Sequence, residues 1–150
     1  MNDVSPMQIH ASCVSLEGAG VLIRGPSGAG KSDLALRLID RGGRLVADDR
    51  VDLQRAEGVL VASAPPPLAG LLEVRGIGIL KFPNVPDTPV HLAVDLVSAD
   101  EVDRLPAPEN IDLHGVSIPA IRLDAFTISA ATKVQLAMGL ALGRIIRADD

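Results

Sequence analysis

A chain of 150 residues, 47% of them apolar, is long enough to close one hydrophobic core, yet it holds only two aromatics, Phe82 and Phe126, so that core must be aliphatic. A net charge of −5, with acids and bases interspersed and no basic run, argues against a general nucleic-acid binder. The one cysteine, Cys13, excludes an internal disulfide and any CxxC metal site, and reads as a small buried hydrophobe.

Taken in order, Met1 to Pro6 is short, polar and acidic and lacks the apolar stretch of a secretory signal. No apolar run reaches bilayer length, so no membrane partner is expected, and the single cysteine fits a reducing cytoplasm. Residues 8–16 are rich in β-formers, Glu17-Gly18-Ala19-Gly20 is a turn, and 20–24 forms a second strand, so the chain opens with a hairpin.

That second strand feeds Gly25-Pro26-Ser27-Gly28-Ala29-Gly30-Lys31-Ser32, which matches the phosphate-binding loop G-x-x-x-x-G-K-[ST] without a substitution. Leu34, Ala35, Leu38 and Ile39 recur at helical spacing behind it, and Gly42-Gly43 supplies a left-handed stop. Strand, glycine turn and helix N-terminus together make an anion cradle: amides converge on a phosphate and the helix dipole adds positive potential. Lys31 would reach the terminal phosphates and Ser32 would hold magnesium, so the chain reads as binding a nucleoside triphosphate.

Arg44 to Ala47 is a short strand running into Asp48-Asp49, and 51–55 with 58–63 form a hairpin around Ala56-Glu57-Gly58. Pro65-Pro66-Pro67 breaks the pattern. Leu71 to Leu80 follows as one strand, which places Glu73 and Arg75 on the same face. The segment 81–89 is an irregular loop, Val90 to Val97 a strand, and 98–113 a polar, proline-broken connection. Short strands at 115–118 and 120–123 flank Pro119. The last helix runs from about Ser129 to Arg147, capped by Thr127 or Ser129, with Val134, Met138, Ala141 and Ile145 in one stripe and Arg144 and Arg147 in its last turn. There is no repeat and no interdomain linker, so residues 1–150 read as a single domain. Because strands and helices do not alternate, the fold class is α/β with a mixed, partly curled sheet and helices on one side, not the doubly wound nucleotide fold.

Phosphoryl transfer needs carboxylate support for a metal, a base for the acceptor hydroxyl, and cations over the developing charge. Asp48 and Asp49 follow a hydrophobic strand and read either as such carboxylates or as two solvated acids at a turn. Alternation along a strand would turn only one of them toward the phosphates. Glu73 and Arg75 read either as a metal and phosphate site or as an exposed ion pair.

The phosphate loop, Arg44-Leu45-Val46-Ala47-Asp48-Asp49 and Leu72-Glu73-Val74-Arg75-Gly76-Ile77-Gly78-Ile79 occur in an order and spacing that resemble the catalytic domain of the HPr kinase/phosphorylase family. His10, fifteen residues before the loop, is similar to that family's active-site histidine, and Arg104 in Asp103-Arg104-Leu105 to its catalytic arginine. The resemblance runs from about residue 8 to the final helix and matches the short form of the family, the catalytic domain alone. It implies a phosphoenolpyruvate carboxykinase-like fold, ATP and Mg2+ as cofactors, and a seryl hydroxyl of HPr, the phosphocarrier of the bacterial phosphotransferase system, as acceptor. It also implies Asp49 as base with Asp48 beside it, Ser32 and Glu73 at the metal, Lys31 and Arg104 on phosphoryl charge, and a hexamer. The stretch that the resemblance links to phosphorolysis is rich in Pro, Gly and Arg in the family. Here it reads Arg122-Leu123-Asp124-Ala125-Phe126-Thr127, which implies a kinase with weak or absent phosphorylase activity. A non-catalytic nucleotide sensor and a small-molecule kinase are the alternatives, and the acids at 48, 49 and 73 speak against the sensor.

Overall fold

The computed structural model describes residues 6–148. Its strands are β1 (Met7–Ile9), β2 (Ser12–Leu16), β3 (Ala19–Arg24), β4 (Arg44–Ala47), β5 (Val51–Ala56), β6 (Val59–Ser63), β7 (Leu71–Val74), β8 (Gly78–Lys81), β9 (Thr88–Leu96), β10 (Glu109–Leu113) and β11 (Val116–Leu123), with helices α1 (Lys31–Asp40) and α2 (Ala130–Ala141). Three hairpins close on two-residue turns, Glu17-Gly18, Glu57-Gly58 and His114-Gly115, in which both residues have positive φ. That is the turn whose twist matches the flanking strands, and glycine in second place makes it cheap.

Nine strands form one sheet in the order β1-β5-β6-β9-β3-β2-β4, with β11 and then β10 added beside β9. The long strand β9 is the pivot. One edge pairs in parallel with β3. The other edge takes β6 antiparallel at Thr88 and Pro89, then β11 in parallel from Ala93 to Leu96. Two neighbours sharing one edge force the sheet to fork and curl into a half-barrel. Opposite the Gly20/Val21 step of β3, β9 carries one extra residue, His91. The bulge lets Val90 face the inside of the curl and Leu92 the helices, although simple alternation would put both on one face.

Two aliphatic layers result. Val14, Val21, Ile23, Leu92 and Val94 pack against Leu34, Leu38, Val134 and Met138 of the two helices, which lie on one side of the sheet as expected. Cys13, Leu22, Val51, Leu53, Leu60 and Ala93 fill the inside of the curl. No aromatic ring belongs to the buried core. The hairpin β7–β8 stands apart as a two-stranded sheet, pinned on α1 and β4 by Leu72 and Val74 against Leu45, Leu36 and Phe82.

Several expected boundaries are corrected. Leu71 to Leu80 is not one strand: it turns at Arg75 to Ile77, so Arg75 lies in a turn and shares no strand face with Glu73. Residues 109–113, expected as connection, form β10 against β11. Pro119 interrupts nothing, because it pairs only toward Asn110 of β10 and the ladder to β9 begins at Ala120, so no partner wants its missing N–H. Helix α2 ends at Ala141 rather than near Arg147. Gly143 takes φ of 74°, Arg144 N–H bonds back to Gly139 O at 2.8 Å, and Ile145 folds over Gly139. Arg144 instead reaches Glu17 at 3.4 Å. Among the described residues no helix is long and apolar enough to cross a membrane.

Cys13 is fully buried inside the curl, and burial pushes its thiol up to about 12. The native protein at pH 8 is therefore expected to resist iodoacetamide and to label stoichiometrically only in denaturant. Fast labelling of the folded protein, read by mass, would show that the curl is open.

Candidate active site

β3, β9 and β11 run parallel, and β4, two antiparallel steps from β3, runs the same way. Their carboxyl ends therefore face one end of the sheet, where the connections bearing function collect. β3 delivers Gly25 to Gly30, β4 delivers Asp48-Asp49, and β11 delivers Asp124 to Phe126. Beneath the loop, Arg24 and Asp95 tie the ends of β3 and β9 by two bonds of 2.7 and 3.0 Å.

The loop is held by its own glycines and lysine. Gly30 caps α1 with φ of 98°, and a Cβ there would stand 3.0 Å from Ala125 Cβ, so only glycine fits. It has no side chain to cap the helix, and no side-chain cap exists. The first amides of α1 thus lack an internal acceptor and are left to an external one. Lys31, 8% exposed, donates to Gly25 O at 2.7 Å and Pro26 O at 3.1 Å. An ammonium has three donors, so one remains for an anion.

Asp48 lies behind the loop, 6% exposed, and its carboxylate accepts from Ser32 Oγ at 2.8 and 3.1 Å and from Ser12 Oγ at 2.6 Å. The register of β2 on β4, Cys13 opposite Ala47, brings Ser12 beside Asp48. Asp49 follows with φ of 71°, a left-handed conformation that aspartate tolerates better than most residues. It breaks the strand alternation, so both acids reach the site from opposite flanks. Asp49 is exposed and shares a hydrogen bond of 3.1 Å with His10 Nε2, in the bend between β1 and β2.

A cleft of about 590 Å³ joins these groups, and His10, Ser12, Lys31, Ser32, Asp49 and Glu73 line it together with Arg75 and Phe126. Glu73 arrives because Leu72 and Val74 on either side of it are buried in the hairpin's contact with α1. Of the residues singled out in the sequence, the structure brings together His10, the loop, Asp48, Asp49, Glu73 and Arg75. It does not bring Arg104 there: Arg104 lines a separate cavity beside α2. Ser12 and Phe126 were not foreseen as members of the cleft. Only strand pairing reveals Ser12. Phe126, one of two aromatics in the chain, lies in the stretch 122–127 that the resemblance links to phosphorolysis, and that link is the signal for it.

Hard oxygen donors, the Ser32 hydroxyl and the carboxylates of Asp48 and Glu73, surround the N-terminus of α1. Among the described residues no three His, Cys, Asp or Glu side chains converge as a metal cage. This donor set suits magnesium, which takes one or two carboxylates and completes its shell with water and substrate phosphate.

Ser12→Ala removes a hydroxyl from a buried carboxylate and is expected to lower stability by about 1.5–3 kcal/mol, the usual worth of a hydrogen bond to a charged group. Urea unfolding followed by circular dichroism checks it. A loss below about 0.5 kcal/mol would mean that Asp48 is held without Ser12.

The model of the HPr Serine kinase C-terminal domain matches residues 3–138 of the chain. The HPr kinase/phosphorylase of Lactobacillus acidophilus is 41% identical over 127 residues, covering 77% of this chain and 39% of that protein. The HPr kinase/phosphorylase of Streptococcus thermophilus is 44% identical over 131 residues, covering 79% and 42%. The chain thus spans about two fifths of the length of the curated relatives it matches. Among solved structures, the HPr(Ser) kinase/phosphatase from Coxiella burnetii superposes with a TM-score of 0.81 at 28% identity, over 92% of this chain and 97% of that one.

Proposed function

The chain belongs to the HPr serine kinase C-terminal domain family, and from that premise we propose that it transfers the terminal phosphoryl group of ATP to a seryl hydroxyl of HPr or an HPr-like carrier. The observation that carries this reading is the arrival of acids from β4 and β7, and of His10, around an uncapped helix N-terminus. A bare nucleotide pocket has no need of them.

The roles follow from the surroundings of each group. The amides from Gly28 to Ser32 bind the β- and γ-phosphates, and the free donor of Lys31 sits over their charge. Asp49, exposed toward the cleft, takes the serine proton as the serine oxygen bonds to the γ-phosphorus and the bond to the β–γ bridging oxygen breaks. His10 orients that carboxylate through their shared hydrogen bond. Asp48, already bonded to Ser32, holds its hydroxyl for magnesium, with Glu73 as the second protein ligand. Magnesium, when bound, neutralises charge on the terminal phosphates. Arg75 lines the same cleft and can meet phosphate charge there, and no role is assigned to Arg104. The hexamer implied by the resemblance is the expected assembly, and a cytoplasmic location is consistent with a carrier-protein substrate.

Labelled phosphate transfer from ATP to HPr tests the scheme. Lys31→Ala and Asp49→Asn are each expected to lower the rate by about a hundredfold or more. Asparagine tolerates the left-handed backbone of residue 49, so that variant removes the proton acceptor and keeps the loop. Transfer that persists in both variants would overturn the mechanism.

Phosphorolysis is expected to be weak. The segment 124–127 is fastened by Arg37, whose guanidinium donates to Ala125 O and to Thr127 O, and it presents the Phe126 ring to the cleft. An apolar ring offers no donor to inorganic phosphate. With phosphoserine-HPr and phosphate as reactants, pyrophosphate should form far more slowly than the forward reaction runs; comparable rates would show that residues 122–127 do not limit the reverse step.

A further inference from the structure

A second cavity of about 530 Å³ lies between α2, the end of β11 and the segment 101–109, and it shares no lining residue with the phosphate cleft. Its floor is aliphatic: buried Ala120, Leu123 and Ala137, with half-buried Ile121 and Leu140. Cations stand around it. Lys133 lies one turn before Ala137 on α2, Arg104 comes from the opposite segment, and Arg147 from the chain beyond the helix. Most of the acids in its walls are engaged. Glu109 pairs with Arg122 at 3.2 Å, and Glu101 accepts from the hydroxyl and amide of Ser98 at 2.8 and 3.3 Å. Among the described residues the side chains of Arg104 and Lys133 have neither an ion pair nor a hydrogen bond, and only Asp103 remains as an unengaged acid in the lining.

In a chain whose net charge is −5, unpaired cations over an apolar floor are complementary to one kind of guest. We propose that this cavity binds a small amphipathic anion, a carboxylate or phosphate monoester on a short aliphatic chain. The cavity falls within the roughly 300–1,000 Å³ of small-molecule sites. No aromatic ring lines it, so it offers no stacking platform to a nucleobase. The anionic head meets Lys133 and Arg104, and the tail lies along Ile121, Leu123 and Leu140. This site stands whether or not the kinase reading holds.

Titration calorimetry with octanoate and octyl phosphate at submicellar concentration, on the whole chain, tests it. Saturable binding of either at one site is expected. The butyl homologue should bind at least tenfold more weakly, since each buried methylene is worth about fourfold. Lys133→Glu, at an exposed helical position where folding should be indifferent, should weaken binding tenfold or more with an unchanged melting temperature. Absence of saturable binding, equal affinity for octylammonium, or equal affinity of Lys133→Glu would each overturn the proposal. So would co-sedimentation with phosphatidylglycerol vesicles without binding of the free anions, since that describes a membrane surface and not a small-molecule site.

Discussion

The carboxylate of Asp48 is nearly sealed from water, and a buried charge is tolerated only when neighbours supply the hydrogen bonds that water would have given. Here the hydroxyls of Ser12 and Ser32 do so, and they come from β2 and from the first turn of α1. One carboxylate therefore ties the end of β4, the strand beside it and the helix behind the phosphate loop. The backbone then has to bring the next residue back toward solvent, and Asp49 does so by turning left-handed. The two consecutive acids end in different surroundings because one is captured by hydroxyls and the other by His10 at the mouth of the cleft.

The sheet makes that meeting geometrically available. A flat parallel sheet with helices on both faces would use its faces alike. This one forks at β9, packs both helices on one face, and closes the other around an aliphatic interior. The strands that carry the loop and the aspartates still end on the same side, so the site gathers there as in other open α/β sheets. The remaining acid comes from outside the sheet. The β7–β8 hairpin is too small to stand alone, and it is held by three buried side chains, Leu45, Leu72 and Val74. Membership in the HPr kinase family gives this arrangement its chemical meaning, since the phosphate loop by itself occurs in many unrelated proteins.

Much of the molecule could be read from local pattern. The loop and its helix, the strand before Asp48, the turns of the first two hairpins and the one-sided placement of the helices all rest on signals that act over a few residues: period, turn residues and glycine at positive φ; the expected first strand, 8–16, instead breaks at His10, and β1 pairs with β5. His10 and Glu73 were placed through the resemblance, and both line the cleft. The misjudged elements are those whose ends are decided by a neighbour. Pro119 looks like a break until the ladder on its other side is known to begin one residue later. The apolar stripe of α2 continues in sequence to Ile145, but the chain turns back over Gly139. Arg75 leaves the strand because β8 must return to pair with β7.

By itself, the sequence determined the glycine-rich loop ahead of α1, the aliphatic character of the core and the charge types available to a reaction, because these depend on residue identity and short spacing. Tertiary structure alone decided which acid is buried and which is open, that Ser12 belongs to the site, and that Arg104 faces a different cavity. Those outcomes depend on strand register and on the direction in which a curled sheet turns each edge. Register arises from contacts between residues far apart in the chain, to which no local pattern is sensitive.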